Sequence, residues 1–306
     1  MADTQSKVAL SLGEARLLIT GSQILLGFQY RAFFEPGFAR LSEAVQNLRL
    51  VSLGLMLVTI LLLIWPVGFH EITERGQLTP KLQGFTTSVM KTALLPFALA
   101  SGIDVYSMSS LIAGEHIGLA AGIGIASIAL FLWYGWPYIV RARHPNGGGG
   151  GKQSGEKKVP GTDLDKKIET VLNDCRVVVP GSQALLGFQL SGILMDKFSR
   201  LPASSQRVHL LSLLMILLST LFLMAPAAYH RIVERGEATE RFWRFARRML
   251  LTAMVWLPAG LATEFFVILR VATGSVAFSL GISLLVLAAF YGLWFGYTVA
   301  VKLRRA

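Results

Sequence analysis

The sequence predicts an all-α integral membrane protein of two tandem four-helix units, eight helices in all, with the units as parallel repeats. Three observations carry that prediction. The first is composition: 53% of the 306 residues are hydrophobic, 15% are charged and the mean hydropathy is +0.55. The second is a set of long uncharged runs, among them Leu50 to Phe69, Ile117 to Val140, Leu210 to Tyr229 and Val271 to Val301. A helix needs about 20 apolar residues to cross the hydrocarbon core of a bilayer. These runs lack the alternation that a β-barrel lumen requires. The third is an internal repeat.

Slid against itself, the sequence matches at an offset of 160 residues. GSQILLGFQ (Gly21 to Gln29) recurs as GSQALLGFQ (Gly181 to Gln189) with one mismatch, and Pro66-x-x-x-His70-x-Ile72-x-Glu74-Arg75-Gly76 recurs from Pro226 to Gly236. Two motifs in one constant register mark a tandem duplication. The repeat also settles doubtful helices. Leu17 to Tyr30 is weak alone, but its counterpart Val177 to Met195 is uncharged. The third helices are interrupted only by Asp104 and Glu264. Helices are expected to start near Arg16, Arg49, Lys91 and His116, then near Arg176, Arg207, Arg248 and Gly274. The first unit spans 1–144 and the second 166–306. The Gly- and Lys-rich stretch at 145–165 between them reads as a flexible cytoplasmic tether.

Four helices per unit return the chain to its starting face. That face collects 22 of the 29 Lys and Arg residues. Positive residues stay inside, so the expectation is a multi-pass protein of the cell inner membrane with cytoplasmic N- and C-termini. Charge of this kind orients a membrane protein, and the net +11 needs no nucleic acid. The N-terminus offers no uninterrupted apolar stretch before a small-residue cleavage site, so no signal peptide is expected. The single cysteine, Cys175, excludes an internal disulfide framework and a multi-cysteine metal site.

The segments PGSQALLGFQ and APAAYHRIVERGEATE, at this spacing, resemble a family of small bacterial four-helix membrane proteins of unknown function. Its members often carry the label sodium:proton antiporter. The resemblance covers both units and is closer in the second. The first departs with Thr20 in place of Pro180 and Glu71 in place of Arg231. It implies that this chain is a fused pair of units that are commonly single, and it brings no mechanism residues with it.

Polar groups inside the spans are the candidate site. Gln23, Gln29, Gln183 and Gln189 sit in the first helix of each unit, and lipid satisfies neither end of a glutamine amide. They are expected to face the bundle interior, another helix or water. There they serve as interhelical hydrogen bonds or as the lining of an ion or proton path. Asp104 and Glu264 hold equivalent places, and an ionisable group in a span is a functional hypothesis by default. Asp104 follows Lys91 by 13 residues and Gln29 follows Arg16 by the same number. At 1.5 Å per residue each lies roughly 20 Å along its helix. Acids and second glutamines should therefore share a layer in the outer half of the membrane, unless the third helix ends early and leaves the acids at the interface. Desolvation disfavours a buried carboxylate's charged form, so if the acids are transport groups, neutralising them is expected to preserve or raise stability. If neutralisation unfolds the protein, they are structural partners of a nearby cation such as Arg31 or Arg270.

His70, Glu74 and Arg75, with His230, Glu234 and Arg235, form a repeated motif where helices two and six leave the membrane. Each His/Glu pair is spaced i, i+4 on one helix face. The histidines suit a last helical turn, and Gly76 and Gly236 suit its termination, so no metal is expected. Nor does the sequence suggest a cofactor. With no nucleophile–base pair or phosphate-binding loop, an enzyme is not expected. His116, His144 and His209 read as isolated residues in loops or at helix starts. Gly114, Gly118 and Gly122 form a small-residue stripe suited to close helix approach, the candidate contact for a homo-oligomer. At the 160 offset only Gly274 matches it, with Phe278 and Ile282 in the other places. The leading functional expectation is a channel or secondary transporter for protons or a small cation. The alternative is a non-transporting scaffold whose intramembrane polar groups are structural.

Overall fold

A computed structural model describes residues 18–72, 79–143, 163–234, 239–297, 300 and 303–304. Among these residues there is no strand. The helices are α1 (18–32), α2 (Glu43–Ile72), α3 (Pro80–Ala113), α4 (Glu115–Leu130) and α5 (Trp136–Arg143), followed by α6 (Asp163–Gly192), α7 (Asp196–Ser199), α8 (Ala203–Ile232), α9 (Glu240–Thr273) and α10 (Val276–Tyr291). A π-helical turn, Phe131–Gly135, joins α4 to α5, and another, Gly292–Tyr297, follows α10. Six helical stretches are long and apolar enough to cross a membrane: Glu43–Pro66, Gly84–Ala113, Glu115–Arg143, Ala203–Ile232, Glu240–Thr273 and Val276–Gly296. The first helix of each unit, α1 and α6, is not among them.

The repeat is written into local structure. The pairs α2/α8 and α3/α9 match in length and stand 160 residues apart. Thr79 and Thr239 cap α3 and α9, each hydroxyl accepting from a backbone N–H three residues on. Gln46 and Gln206 each donate to two backbone carbonyls of the preceding turn. Gly114 (φ 92°) and Gly274 (φ 69°) make the sharp turns after α3 and α9, in a region of backbone space that a side chain would strain.

Beyond that turn the register changes. α4 begins at Glu115 and α10 at Val276, an offset of 161, because Ser275 adds one residue after Gly274. Gly118 and Gly122 therefore correspond to Ser279 and Ser283, and all four are buried. The small-residue stripe survives in the second unit, and Phe278 is an exposed neighbour of it. A Cβ at Gly118 would lie 2.7 Å from Ser110 of α3, and one at Gly122 would lie 2.7 Å from Tyr106 and from the Gly102 carbonyl. At Gly118 and Gly122 the stripe closes α4 onto α3 within the chain, whereas Gly114 is exposed and a Cβ there would meet nothing.

Helix α6 starts at Asp163, well before the expected Arg176. Ile168, Val171, Leu172 and Cys175 are buried along one face of this extension, and the first three pack with Tyr229, Val233 and Phe242. The 145–165 tether otherwise lies outside the described residues.

The two units share one apolar core. Phe28 meets its repeat partner Phe188 with ring centroids 4.3 Å apart, and Gly187 leaves the space that Phe28 fills. Gly37 N–H donates to the Leu194 carbonyl at 2.8 Å, Arg40 pairs with Asp196, and Arg231 donates to Thr87 Oγ1 at 2.9 Å. The arrangement is not symmetric. Trp133, fully buried, donates from Nε1 to the Leu221 carbonyl of α8 at 3.3 Å, so the fourth helix of the first unit covers α8. α10 leaves α2 uncovered in return, and Leu57, Leu61 and Trp65 remain exposed. α8 is thereby the central helix of the molecule.

Candidate functional site

Each unit holds one buried polar centre where its first three helices meet, and the two centres are built from equivalent positions. In the first unit α1 supplies Gln29, α2 supplies Arg49 and Ser52, and α3 supplies Asp104. In the second, α6 supplies Gln189, α8 supplies His209 and Ser212, and α9 supplies Glu264. Every pair stands at the offset of 160.

Asp104 accepts from Gln29 Nε2 at 2.7 Å, from Ser52 Oγ at 2.8 Å and from Arg49 Nη1 at 3.1 Å. Gln29 Nε2 also donates to Ser52 Oγ at 3.0 Å. Arg49 and Asp104 side chains are 2% and 7% exposed, so this is an ion pair sealed inside the bundle. An arginine does not lose its proton in proteins, so the Arg49 half of the pair is permanently charged. Three donors on one carboxylate compensate the desolvation that such a charge suffers.

Glu264 accepts from Gln189 Nε2 at 3.0 Å and faces His209 Nδ1 at 2.9 and 3.0 Å from its two oxygens. His209 Nε2 lies 3.2 Å from the Gln189 backbone carbonyl, and the ring stands edge-to-face with Phe198. Ser212 accepts from Gln189 at 2.7 Å and donates to the Gly260 carbonyl at 2.8 Å, so it does not reach the carboxylate. The swap conserves reach: a long arginine meets a short aspartate in one unit, and a short histidine meets a long glutamate in the other. Chemistry is not conserved. Either an imidazolium beside a carboxylate or a neutral ring beside a protonated carboxyl satisfies both contacts of the ring. One proton can therefore sit on His209 or on Glu264 with every hydrogen bond kept. The Glu264 side chain is 22% exposed against 7% for Asp104, so the second centre is also the more open.

The structure brings Gln29 to Asp104 and Gln189 to Glu264, in one layer per unit. α3 and α9 each continue nine residues past their acid, to Ala113 and Thr273, so neither helix ends at the carboxylate. The other glutamines differ. Gln183 is buried, but Gln23 is exposed on the protein surface. Gln23 takes no part in the centre, a correction to the inward placement its repeat suggests. His230 and Glu234 are buried, with the His230 ring stacked on Phe242 at 4.4 Å. The side chain of His70, and Glu74, Arg75 and Arg235, lie outside the described residues. No group of three or more His, Cys, Asp or Glu side chains among the described residues could hold a metal.

Sequence reasoning missed Arg49 and His209. Arg49 is counted there among the charges that set topology, and His209 as an isolated residue at a helix start. Their signal was available: both stand three residues before a repeated serine, at the same offset as the acids.

The profile of one family, Family of unknown function (DUF6328), matches twice, at residues 7–137 and 158–298. The chain belongs to that family and carries it as two repeats. The family has no assigned activity, and nothing in the match supports the antiporter label. No curated protein and no solved structure matches the chain.

Proposed function

We propose that this is an eight-helix protein of the bacterial inner membrane that moves protons through the His209–Glu264 centre of its second unit. In this reading α1 and α6 join the six apolar stretches as spans. The two units lie parallel about an axis along the membrane normal, with both termini cytoplasmic. The observation that carries the function is the replacement of a permanently charged partner, Arg49, by a titratable one, His209, at the same place in the repeat. Histidine is the side chain that ordinarily changes charge between pH 5 and 8. A small cation is the weaker cargo, because both carboxylates already face nitrogen donors. The first unit acts as the fixed half, its centre holding three helices together.

The test is flux in liposomes that carry a pH gradient, with and without Na⁺ or K⁺. Wild type should dissipate the gradient. The double substitution His209→Arg with Glu264→Asp, which gives the second unit the first unit's pair, should keep the fold and stop the flux. A wild type that moves no proton, or a double variant that moves protons normally, refutes the reading. A second reading, a scaffold with structural polar layers, is favoured by the closed Arg49–Asp104 centre and would be adopted in the first of those cases. Orientation is tested separately. A cysteine near Gly150 should be labelled only after the inner membrane is permeabilised, and one at Ser42 in intact spheroplasts.

A further inference from the structure

The second unit carries a second polar cluster below the first, on the same two helices. On α8 the positions His209, Ser212, Ile216 and Thr220 recur at three- and four-residue steps, one face of a helix. On α6 Gln189, Leu186 and Ser182 do the same. Thr220 Oγ1 lies 3.0 Å from Ser182 Oγ, and both are fully buried. Beside them Gln183, also fully buried, crosses the seam between the units and rests its Oε1 against Gly21 of α1, where only a glycine leaves room. That oxygen has no hydrogen-bond partner among the described residues. A buried amide oxygen without a partner, beside the two hydroxyls, offers the polar contacts of which a water needs two to four.

Between the two clusters stands one apolar layer. Leu186 is 2% exposed and Ile216 is 1% exposed. Ile216 lies over Gly260, one turn before Glu264, where a Cβ would come 2.5 Å from its Cγ1. The polar clusters are separated by about seven residues of helix, roughly 10 Å.

We propose that the cluster of Ser182, Gln183 and Thr220 is the inner station of the proton path that starts at His209–Glu264, and that Leu186 and Ile216 are the gate between them. The proposal rests on the proton-moving reading of the second unit and assigns its route. A proton leaving the His209–Glu264 pair passes along water through the wetted gate to water held by Gln183 and the hydroxyls, and no covalent bond changes except O–H and N–H. The first unit lacks the station: Ile60 stands in the place of Thr220, and Gln23 points to the surface. The titratable centre and the station thus occur in the same unit.

The experiment uses the whole chain in liposomes with a pH-sensitive dye inside. Thr220→Val and Gln183→Leu, which remove polar groups at nearly constant volume, should each lower proton flux by roughly tenfold, about the effect of one lost stabilising contact on a rate-limiting barrier. Ile216→Ser should raise flux by a similar factor. Met56→Ser, its equivalent in the first unit, should leave flux unchanged. If flux requires His209 but none of these second-unit changes alters it, the route is wrong and the proton-moving reading stands. If Ile216→Ser and Met56→Ser raise flux equally, the gate is a general leak and the assignment falls. If wild type and Ile216→Ser both pass no protons, the route and the reading fall together.

Discussion

The centres at Asp104 and Glu264 differ chiefly in the cation that faces the acid, an arginine that keeps its proton in one and a histidine that can take or give one in the other. In both a glutamine from the first helix donates to the carboxylate and to a serine on the second helix, and that serine reaches the carboxylate itself only at Asp104. Around Asp104 the third partner is arginine, its side chain 2% exposed, which cannot be neutralised and cannot be left alone. Around Glu264 it is histidine, which can be neutral at little cost. In the proposed reading, the difference of cation, with acid length changed to keep contact, frees the second centre from a purely structural role. The surroundings agree. α8, which carries His209, is buried at the centre of the molecule, while α2, which carries Arg49, has one side uncovered.

The largest expected effect is on stability at the locked centre. Asp104→Asn leaves Arg49 charged and buried without its counter-ion, which costs about 3–5 kcal/mol when a buried pair is broken. The protein should melt far earlier in detergent, the outcome expected of an acid that is the structural partner of a nearby cation, here Arg49 rather than Arg31. Glu264→Gln should cost under about 1.5 kcal/mol, near the net value of one hydrogen bond, because His209 can shed its proton. Equal losses from the two variants would erase the distinction drawn between the centres. Smaller effects belong to the fourth helices. Gly118→Ile and Ser279→Ile should each cost about 1–3 kcal/mol through overpacking. Phe278→Ile, on an exposed side chain, should leave the melting temperature nearly unchanged. A harmless Ser279→Ile would contradict the one-residue register shift after Gly274.

Much of this architecture was legible in the sequence because membrane helices and repeats leave coarse, additive signals. The offset of 160 and the shared layer of Gln29 with Asp104 follow from counting along rigid helices. Two things were not legible. Arg49 and His209 lie near the starts of apolar runs, where charge normally reports topology, and only three-dimensional packing turns them inward onto the acids. The stripe in α10 was hidden by a single extra residue, Ser275. A fixed offset reads Phe278 opposite Gly118, whereas the turn at Gly274 places Ser279 there. Periodicity also failed to show that α6 begins at Asp163, because its early apolar residues are interrupted by the charges of the segment leading into it.

On the proposed path His209 exchanges a proton while Arg49 holds its own. The most direct measurement is the ring ¹⁵N signal of His209, labelled with ¹⁵N histidine in lipid bilayers and assigned by comparison with a His209→Gln sample, followed as pH is varied. A proton path through His209 requires that its signal change protonation state over the pH range in which proton flux turns on and off, and that Glu264→Gln shift that transition. A His209 ring that keeps one protonation state throughout that range, while flux changes, would contradict it.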